Sequence, residues 1–81
     1  MFELQSLTYF GNHANIGHAT VIANYDQHAS KFEIVFKRNN VGDYHVSYET
    51  NVCLNKTEQK EFERWLNIRL RQDCIEQRFE P

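Results

Sequence analysis

Apolar and polar residues alternate along four segments in the first two thirds of the chain. In the third segment, Phe32, Ile34 and Phe36 fall on one side, and mostly charged residues fall on the other. Such alternation is typical of a strand with one buried face. The predicted strands span residues 2–9, 19–25, 31–37 and 44–54.

The connections between these segments are short and rich in turn-forming residues. Residues 10–17 contain two glycines and two asparagines, and residues 26–30 and 38–43 are of hairpin length. The apolar phase slips between Leu4 and Leu7, which predicts a β-bulge or an edge position for the first strand. Four strands joined in this way predict an antiparallel meander with one face open to solvent.

Helical spacing replaces the alternation after residue 55. Asn55 is a preferred N-cap residue, and Glu58 follows three positions later, as in a capping box. Helical periodicity continues from Lys56 to about Arg78 without Gly or Pro, with a candidate break at Asp73. The predicted fold class is α+β, in a single domain over residues 1–81. It is a four-stranded, mostly antiparallel β-meander with a C-terminal helix, whole or split near residue 73, packed on one face.

The predicted helix carries more apolar surface than one sheet face covers. One stripe, with Trp65 at its edge, consists of Phe62, Leu66, Leu70 and Cys74. A second stripe consists of Trp65, Ile68, Ile75 and Phe79. Either the helix breaks near residue 73 and the second stripe joins the same core, or this stripe binds another protein or a second copy of the chain. The latter explanation makes these four residues the candidate partner-binding site.

The distribution of charge suggests a second candidate surface. The chain has nine basic and eleven acidic residues, and all nine basic residues lie from Lys31 onward. One side of the helix carries a mostly basic strip that consists of Arg64, Asn67, Arg71 and Arg78. Its three arginines are the candidate contact for single-stranded nucleic acid or an acidic partner. Because nucleic-acid-binding proteins usually have a clear cationic excess, the formal charge of −2 makes nucleic acid the alternative partner.

Residues capable of catalysis or metal binding are scattered along the chain. The histidines are His13, His18, His28 and His45, and the cysteines are Cys53 and Cys74. The sequence contains no zinc-ligand spacing, nucleophile elbow or phosphate-binding glycine loop. We therefore expect no bound metal, no cofactor and no enzymatic activity.

The sequence also suggests a compartment. No segment approaches the roughly 18 apolar residues of a membrane span. The N-terminal residues lack the basic and apolar regions of a signal peptide, and two cysteines do not form a disulfide framework. We expect a cytoplasmic protein with free thiols and no membrane association.

The segment Lys56-Thr57-Glu58-Gln59 opens the helix, and the aromatic residues Phe62 and Trp65 follow one to two turns later. A short antiparallel meander leading into such a helix resembles small phage-encoded anti-CRISPR proteins that block type I effector complexes. The resemblance covers the order of the elements and the start of the helix, and it transfers no functional residues. It implies a compact inhibitor that acts by occupying a partner's surface.

Three functional hypotheses follow from these patterns. The first is a non-enzymatic protein-interaction module, a phage or mobile-element inhibitor that binds and blocks a host protein complex through the second stripe of the helix. The second is a small nucleic-acid-binding protein that uses the basic strip. The third is a homodimeric structural protein whose two copies meet at the second stripe.

Overall fold

The chain forms four strands followed by one helix. The structure, a computed structural model, describes residues 1–10, 15–25 and 28–75, with side chains described up to residue 72. The elements are β1 (Phe2–Tyr9), β2 (Ile16–Tyr25), β3 (His28–Arg38), β4 (Tyr44–Tyr48) and α1 (Lys56–Ile75).

The strands form one sheet in the order β1-β2-β3-β4, and each pair of neighbours is antiparallel. Every strand therefore pairs with the strands next to it in the chain, as in a meander. Helix α1 covers the inner face of this sheet, while the opposite, outer face is not covered by any described element. The predicted α+β fold class is confirmed.

The core lies between the inner face of the sheet and α1. Phe32, Ile34 and Phe36 of β3 are buried, as their alternation predicted. The remaining buried apolar residues come from β2, β4, the segment before the helix and the helix itself: Ala19, Val21, Ala23, Tyr44, Val46, Leu54, Phe62, Leu66 and Leu70.

The phase slip in β1 is a bulge. Leu4 pairs with Val21 of β2 and Ser6 pairs with Thr20, so Gln5 is an extra residue in the ladder. The prediction of a bulge or an edge position is confirmed on both counts, because β1 is also at one edge of the sheet.

Strand β4 is shorter than its sequence pattern predicts. The alternation continues to Leu54, but the strand ends at Tyr48. Just beyond it, the Thr50 hydroxyl accepts a hydrogen bond from the backbone N–H of Glu33 at 3.1 Å, so a side chain replaces a backbone partner there. Leu54 is nevertheless buried and Val52 is half-buried. The segment keeps an alternating burial pattern without a strand backbone, and the predicted strand boundary was wrong.

A reciprocal capping box begins the helix, as predicted. The Glu58 N–H donates to the Asn55 Oδ1 at 2.8 Å, and the Asn55 N–H donates to the Glu58 Oε1 at 3.0 Å. Each side chain thus satisfies a backbone donor that has no partner within the helix. This arrangement fixes the point at which the chain turns back over the sheet.

Helix α1 is continuous from Lys56 to Ile75. The alternative of a helix split near residue 73 is therefore wrong within this range. Residues 76–81, which include Arg78 and Phe79, lie outside the described residues, as do the side chains of Cys74 and Ile75.

Candidate protein-binding surface

The side of α1 that faces the sheet is formed by Phe62, Leu66 and Leu70, each fully buried. They are spaced four residues apart and therefore follow one side of the helix. The Phe62 ring lies 5.1 Å from the Phe32 ring, edge to face, which joins the helix to the centre of the sheet. This burial fixes which side of α1 faces away from the sheet.

Trp65 lies at the border between the core and solvent. Its ring centroid is 5.5 Å from that of Phe2 on β1 and 6.0 Å from that of Phe62. The indole is half-buried and packs against the core of its own chain. Trp65 therefore joins the helix to the edge strand β1, and only part of its surface faces outward.

Ile68 is the exposed apolar residue in the middle of the helix. Its exposed fraction is 51%, whereas its neighbours Leu66 and Leu70 are fully buried. Of the four residues predicted to bind a partner, Trp65 and Ile68 are thus placed on the described surface. Ile75 belongs to the helix but its side chain lies outside the described residues, and Phe79 lies outside them entirely.

The predicted basic strip is only partly free. The Arg71 guanidinium forms an ion pair with the Asp43 carboxylate in the β3–β4 turn, and both side chains are about half exposed. Arg64 is exposed, one turn before Ile68, and Arg78 lies outside the described residues. Because Asp43 neutralises part of the positive charge, the strip is a weaker site for phosphate groups than its sequence suggests.

Asn67 performs a role that sequence reasoning missed. Its Oδ1 accepts a hydrogen bond from the Tyr44 N–H at 2.7 Å, and its Nδ2 donates to the Tyr44 carbonyl at 3.3 Å. The same Nδ2 donates to the Glu63 carbonyl one turn earlier at 2.9 Å. The side-chain amide thereby forms the hydrogen bonds that a neighbouring strand would form along the edge of β4. The position of Asn67, a polar residue beside the buried stripe, indicates such a contact, but helical spacing placed Asn67 in the basic strip.

A second polar contact fastens α1 to β4. The Tyr48 hydroxyl donates to the Glu63 Oε2 at 2.9 Å. Burial raises the pKa of Tyr48 well above its ordinary value, and the hydrogen bond to Glu63 and the charge of its carboxylate raise this pKa further. The phenol therefore remains a protonated donor, and the contact holds the helix in one register on the sheet.

The outer face of the sheet carries a small charged cluster. The Nε2 of His18 on β2 lies 3.2 Å from the Glu49 Oε1 and 3.6 Å from the Glu33 Oε1. Glu33 and Glu49 are on adjacent chain segments, and the imidazole lies close to both carboxylates. Among the residues that the structure describes, no group of His, Cys, Asp and Glu side chains has an arrangement suited to a metal ion.

One depression on the sheet is open to solvent and lined by both polar and apolar groups. It has a volume of about 500 Å³, and its lining includes Lys31, Phe32 and Glu33 of β3. Hydroxyl and amide residues provide most of the rest: Gln5, Ser6, Thr20, Thr50 and Asn51. A site that buries a small molecule usually encloses most of it in an apolar cavity, which this depression does not do.

Within the described ranges, α1 is the single helix, and it is too polar to cross a membrane. No family model, curated protein or solved structure matches the chain. The geometry of the surface is therefore the basis for assigning a function.

Proposed function

We propose that the protein is a non-enzymatic binding protein that contacts another protein through the outer side of α1, centred on Ile68. The observation that carries this proposal is the half exposure of Ile68 in the middle of a helix whose opposite side is fully buried. Complete transfer of an isoleucine side chain from water to a protein interface contributes roughly 1.5–3 kcal/mol, and burying the exposed half of Ile68 would contribute about 1 kcal/mol. Ile68 is therefore a suitable apolar anchor.

The surroundings of Ile68 suggest the chemistry of the partner. Arg64 is exposed one turn before Ile68, Glu61 is exposed two turns before it, and the partly exposed Trp65 borders it. An apolar centre with arginine and tryptophan beside it matches the residue types that dominate protein interfaces. The corresponding surface on the partner would be an apolar pocket with an acidic group opposite Arg64 and no acidic group opposite Glu61.

The rigid attachment of the helix supports a role as an inhibitor. The capping box, the Asn67–Tyr44 pair and the Tyr48–Glu63 contact hold α1 in place before any partner arrives. A preorganised surface loses little conformational entropy on binding, which favours a protein that acts by occupying its target. The resemblance of the layout to phage-encoded anti-CRISPR proteins makes a host protein complex the proposed target.

The proposal is tested by comparing two variants of the full chain on an affinity column. Ile68→Lys places a charge at the centre of the surface, and Ser47→Lys adds the same charge at an exposed position of β4 on the outer face of the sheet, away from α1. We expect Ile68→Lys to lose a protein partner that the wild type and Ser47→Lys both retain, with the thermal midpoints of all three unchanged. Equal retention by both lysine variants would contradict the assignment. If the wild type binds immobilised single-stranded DNA instead, and this binding falls steeply as the salt concentration rises, the basic strip would be favoured as the binding site.

A further inference from the structure

The two edges of the sheet differ in how they are covered. At the β4 edge, the Asn67 side chain binds both backbone groups of Tyr44. At the β1 edge, no described strand or helix pairs with the side that faces away from β2. The sheet therefore has one edge that is partly capped from within the chain and one that is open among the described residues.

The open edge has one feature that hinders pairing with another strand, the bulge at Gln5, and lacks the others. Proteins protect long edge strands with charges, prolines, bulges or short length. Residues 2–9 have the sequence FELQSLTY, with Glu3 as the one charged residue and no proline. Apart from the bulge, this edge is therefore a nearly neutral strand without a proline.

The bulge determines which backbone groups face outward. The Asn24 N–H donates to the Met1 carbonyl, and the Phe10 N–H donates to the Ile16 carbonyl, so Met1 and Phe10 face β2 at the two ends of the strand. Because bonded and non-bonded positions alternate in an antiparallel ladder, Phe2 and Leu4 face outward before the bulge. After the extra residue the phase is shifted, and Leu7 faces outward.

We propose that β1 pairs antiparallel with β1 of a second copy of the chain. In the register that brings outward-facing residues together, Leu4 lies opposite the partner's Leu7, and Glu3 lies opposite the partner's Thr8. The register is self-complementary, as a two-fold interface requires, and its axis passes between Gln5 and Ser6. A partner strand of another sequence would need an extra residue at the matching position to pair on both sides of the bulge, whereas a second copy of β1 already has it.

The proposed pairing has favourable side-chain contacts. Leu4 and Leu7 pack at the margin of the core and are half-buried in one copy, so pairing with their counterparts removes further apolar surface from water. The charges also agree, because each Glu3 faces a neutral threonine rather than the other Glu3. The resulting eight-stranded sheet places both helices on the same face.

A charge exchange between positions 3 and 8 tests the register directly. Both side chains are exposed on the outer face, so their substitution leaves the core unchanged. Thr8→Glu places a carboxylate opposite the partner's Glu3 at two symmetric positions. Since each such cross-strand pair costs up to about 1 kcal/mol, we expect an increase of about tenfold in the dimer dissociation constant. Glu3→Lys alone faces a threonine and should remain dimeric, and combining it with Thr8→Glu should restore dimerisation.

Sedimentation equilibrium of the full chain provides the measurement, with a subunit mass of 9.7 kDa and thermal unfolding as the control for folding. A wild-type protein that stays monomeric at millimolar concentration would overturn the inference. So would a dimer that Thr8→Glu leaves unchanged while Ile68→Lys dissociates it, because the helices would then form the interface. A dimer that survives Ile68→Lys supports pairing through β1 and leaves the proposed function to its own test.

Discussion

The ring of Phe36 occupies the space in which a side chain on Gly17 would have to lie. The two residues pair across β2 and β3, and a β-carbon on Gly17 would be 2.5 Å from the Phe36 Cζ. On the other side, that β-carbon would be in still closer contact with the Thr8 carbonyl oxygen of β1. The rings of Tyr9 and Tyr44 each lie 5.6 Å from the Phe36 ring, edge to face, and restrict its movement.

We predict that Gly17→Ala lowers the free energy of unfolding by about 3 kcal/mol, at the upper end of the usual cost of overpacking a core. Neither neighbour can move easily, because one is a backbone carbonyl within the β1–β2 ladder and the other is a buried ring. Denaturant unfolding of the purified variant measures the change.

Gly42→Ala is the matched control. Gly42 has a φ of 91° in the β3–β4 turn, but the nearest atom to an added β-carbon is the Arg38 side chain at 3.4 Å. The cost should be the conformational one alone, about 1 kcal/mol. Equal losses in the two variants would show that the contact with Phe36 does not determine the requirement for glycine at position 17.

Replacing Asn67 with alanine should loosen the helix from β4. The substitution removes the acceptor of the Tyr44 N–H and the donor to its carbonyl, in a partly buried position. Leaving such groups unsatisfied costs about 1–3 kcal/mol, and we expect about 2 kcal/mol in the free energy of unfolding. Amide hydrogen exchange at Tyr44 should accelerate in the same variant.

Gln72→Ala on the exposed side of the same helix provides the comparison for Asn67, since it changes helix propensity without changing a contact to the sheet. We expect its stability to remain within about 0.5 kcal/mol of the wild type. If the Asn67 variant is as stable as this control, water replaces the hydrogen bonds of the Asn67 amide without a loss of stability.

Alkaline conditions should destabilise the protein through Tyr48. Its pKa is raised above the ordinary value of 10.0 by burial and by Glu63. The folded state therefore holds the phenolic proton more tightly than the unfolded state. The contribution of Tyr48 to stability is complete below pH 10 and is lost as the pH rises through the folded-state pKa.

Tyr48→Phe should weaken this pH dependence. Unfolding free energies measured by denaturant between neutral and alkaline pH should fall less steeply above pH 10 in the variant than in the wild type. In a pH titration, the tyrosinate absorbance of the wild type should also develop over a broader and more alkaline pH range than that of Tyr48→Phe. Identical slopes for the two proteins would contradict the role assigned to Tyr48.

Tyr25 should behave in the opposite way to Tyr48 when its hydroxyl is removed. The Tyr25 hydroxyl oxygen is buried without a hydrogen-bond partner among the described residues. Burial raises its pKa, and the charges of Glu58 and Glu61 raise it further, so ionisation does not relieve the cost. Tyr25→Phe should therefore increase the free energy of unfolding by about 1 kcal/mol.

The contrast with Tyr48→Phe serves as the control for this prediction, because that variant loses a formed hydrogen bond to Glu63 and should be less stable than the wild type at neutral pH. Thermal unfolding of the two variants side by side distinguishes the cases. A Tyr25→Phe variant that is also destabilised would show that its hydroxyl has a partner after all.

Local rules predicted much of this fold from the sequence. The capping box at Asn55, the buried phase of β3 and the bulge after Leu4 each depend on residues close together in the chain. The early end of β4 could not be predicted in this way. Leu54 is buried although its backbone is not in a strand, and the alternation of apolar residues does not distinguish a strand from such an extended segment.

Contacts between distant segments also determined the candidate site. Helical spacing assigns Asn67 and Arg71 to one basic strip because both lie on the same side of the helix. In the folded chain, Asn67 binds the edge of β4 and Arg71 binds Asp43, and neither partner can be identified from helical spacing. The stripe of Trp65 and Ile68 likewise divides into a half-buried and an exposed residue because β1 lies beneath only one of them.

The meander order of the strands has a consequence for how quickly the chain reaches its native state. Each strand pairs with its immediate predecessor, and the helix follows the last strand after a short segment. The strand pairs thus form through short loop closures, and sheets of this type cross the folding barrier faster than sheets with distant strand pairs. The contacts of Phe2 with Phe62 and Trp65 are the exception, because they join residues more than half the chain apart. Stopped-flow refolding should accordingly show a single fast phase.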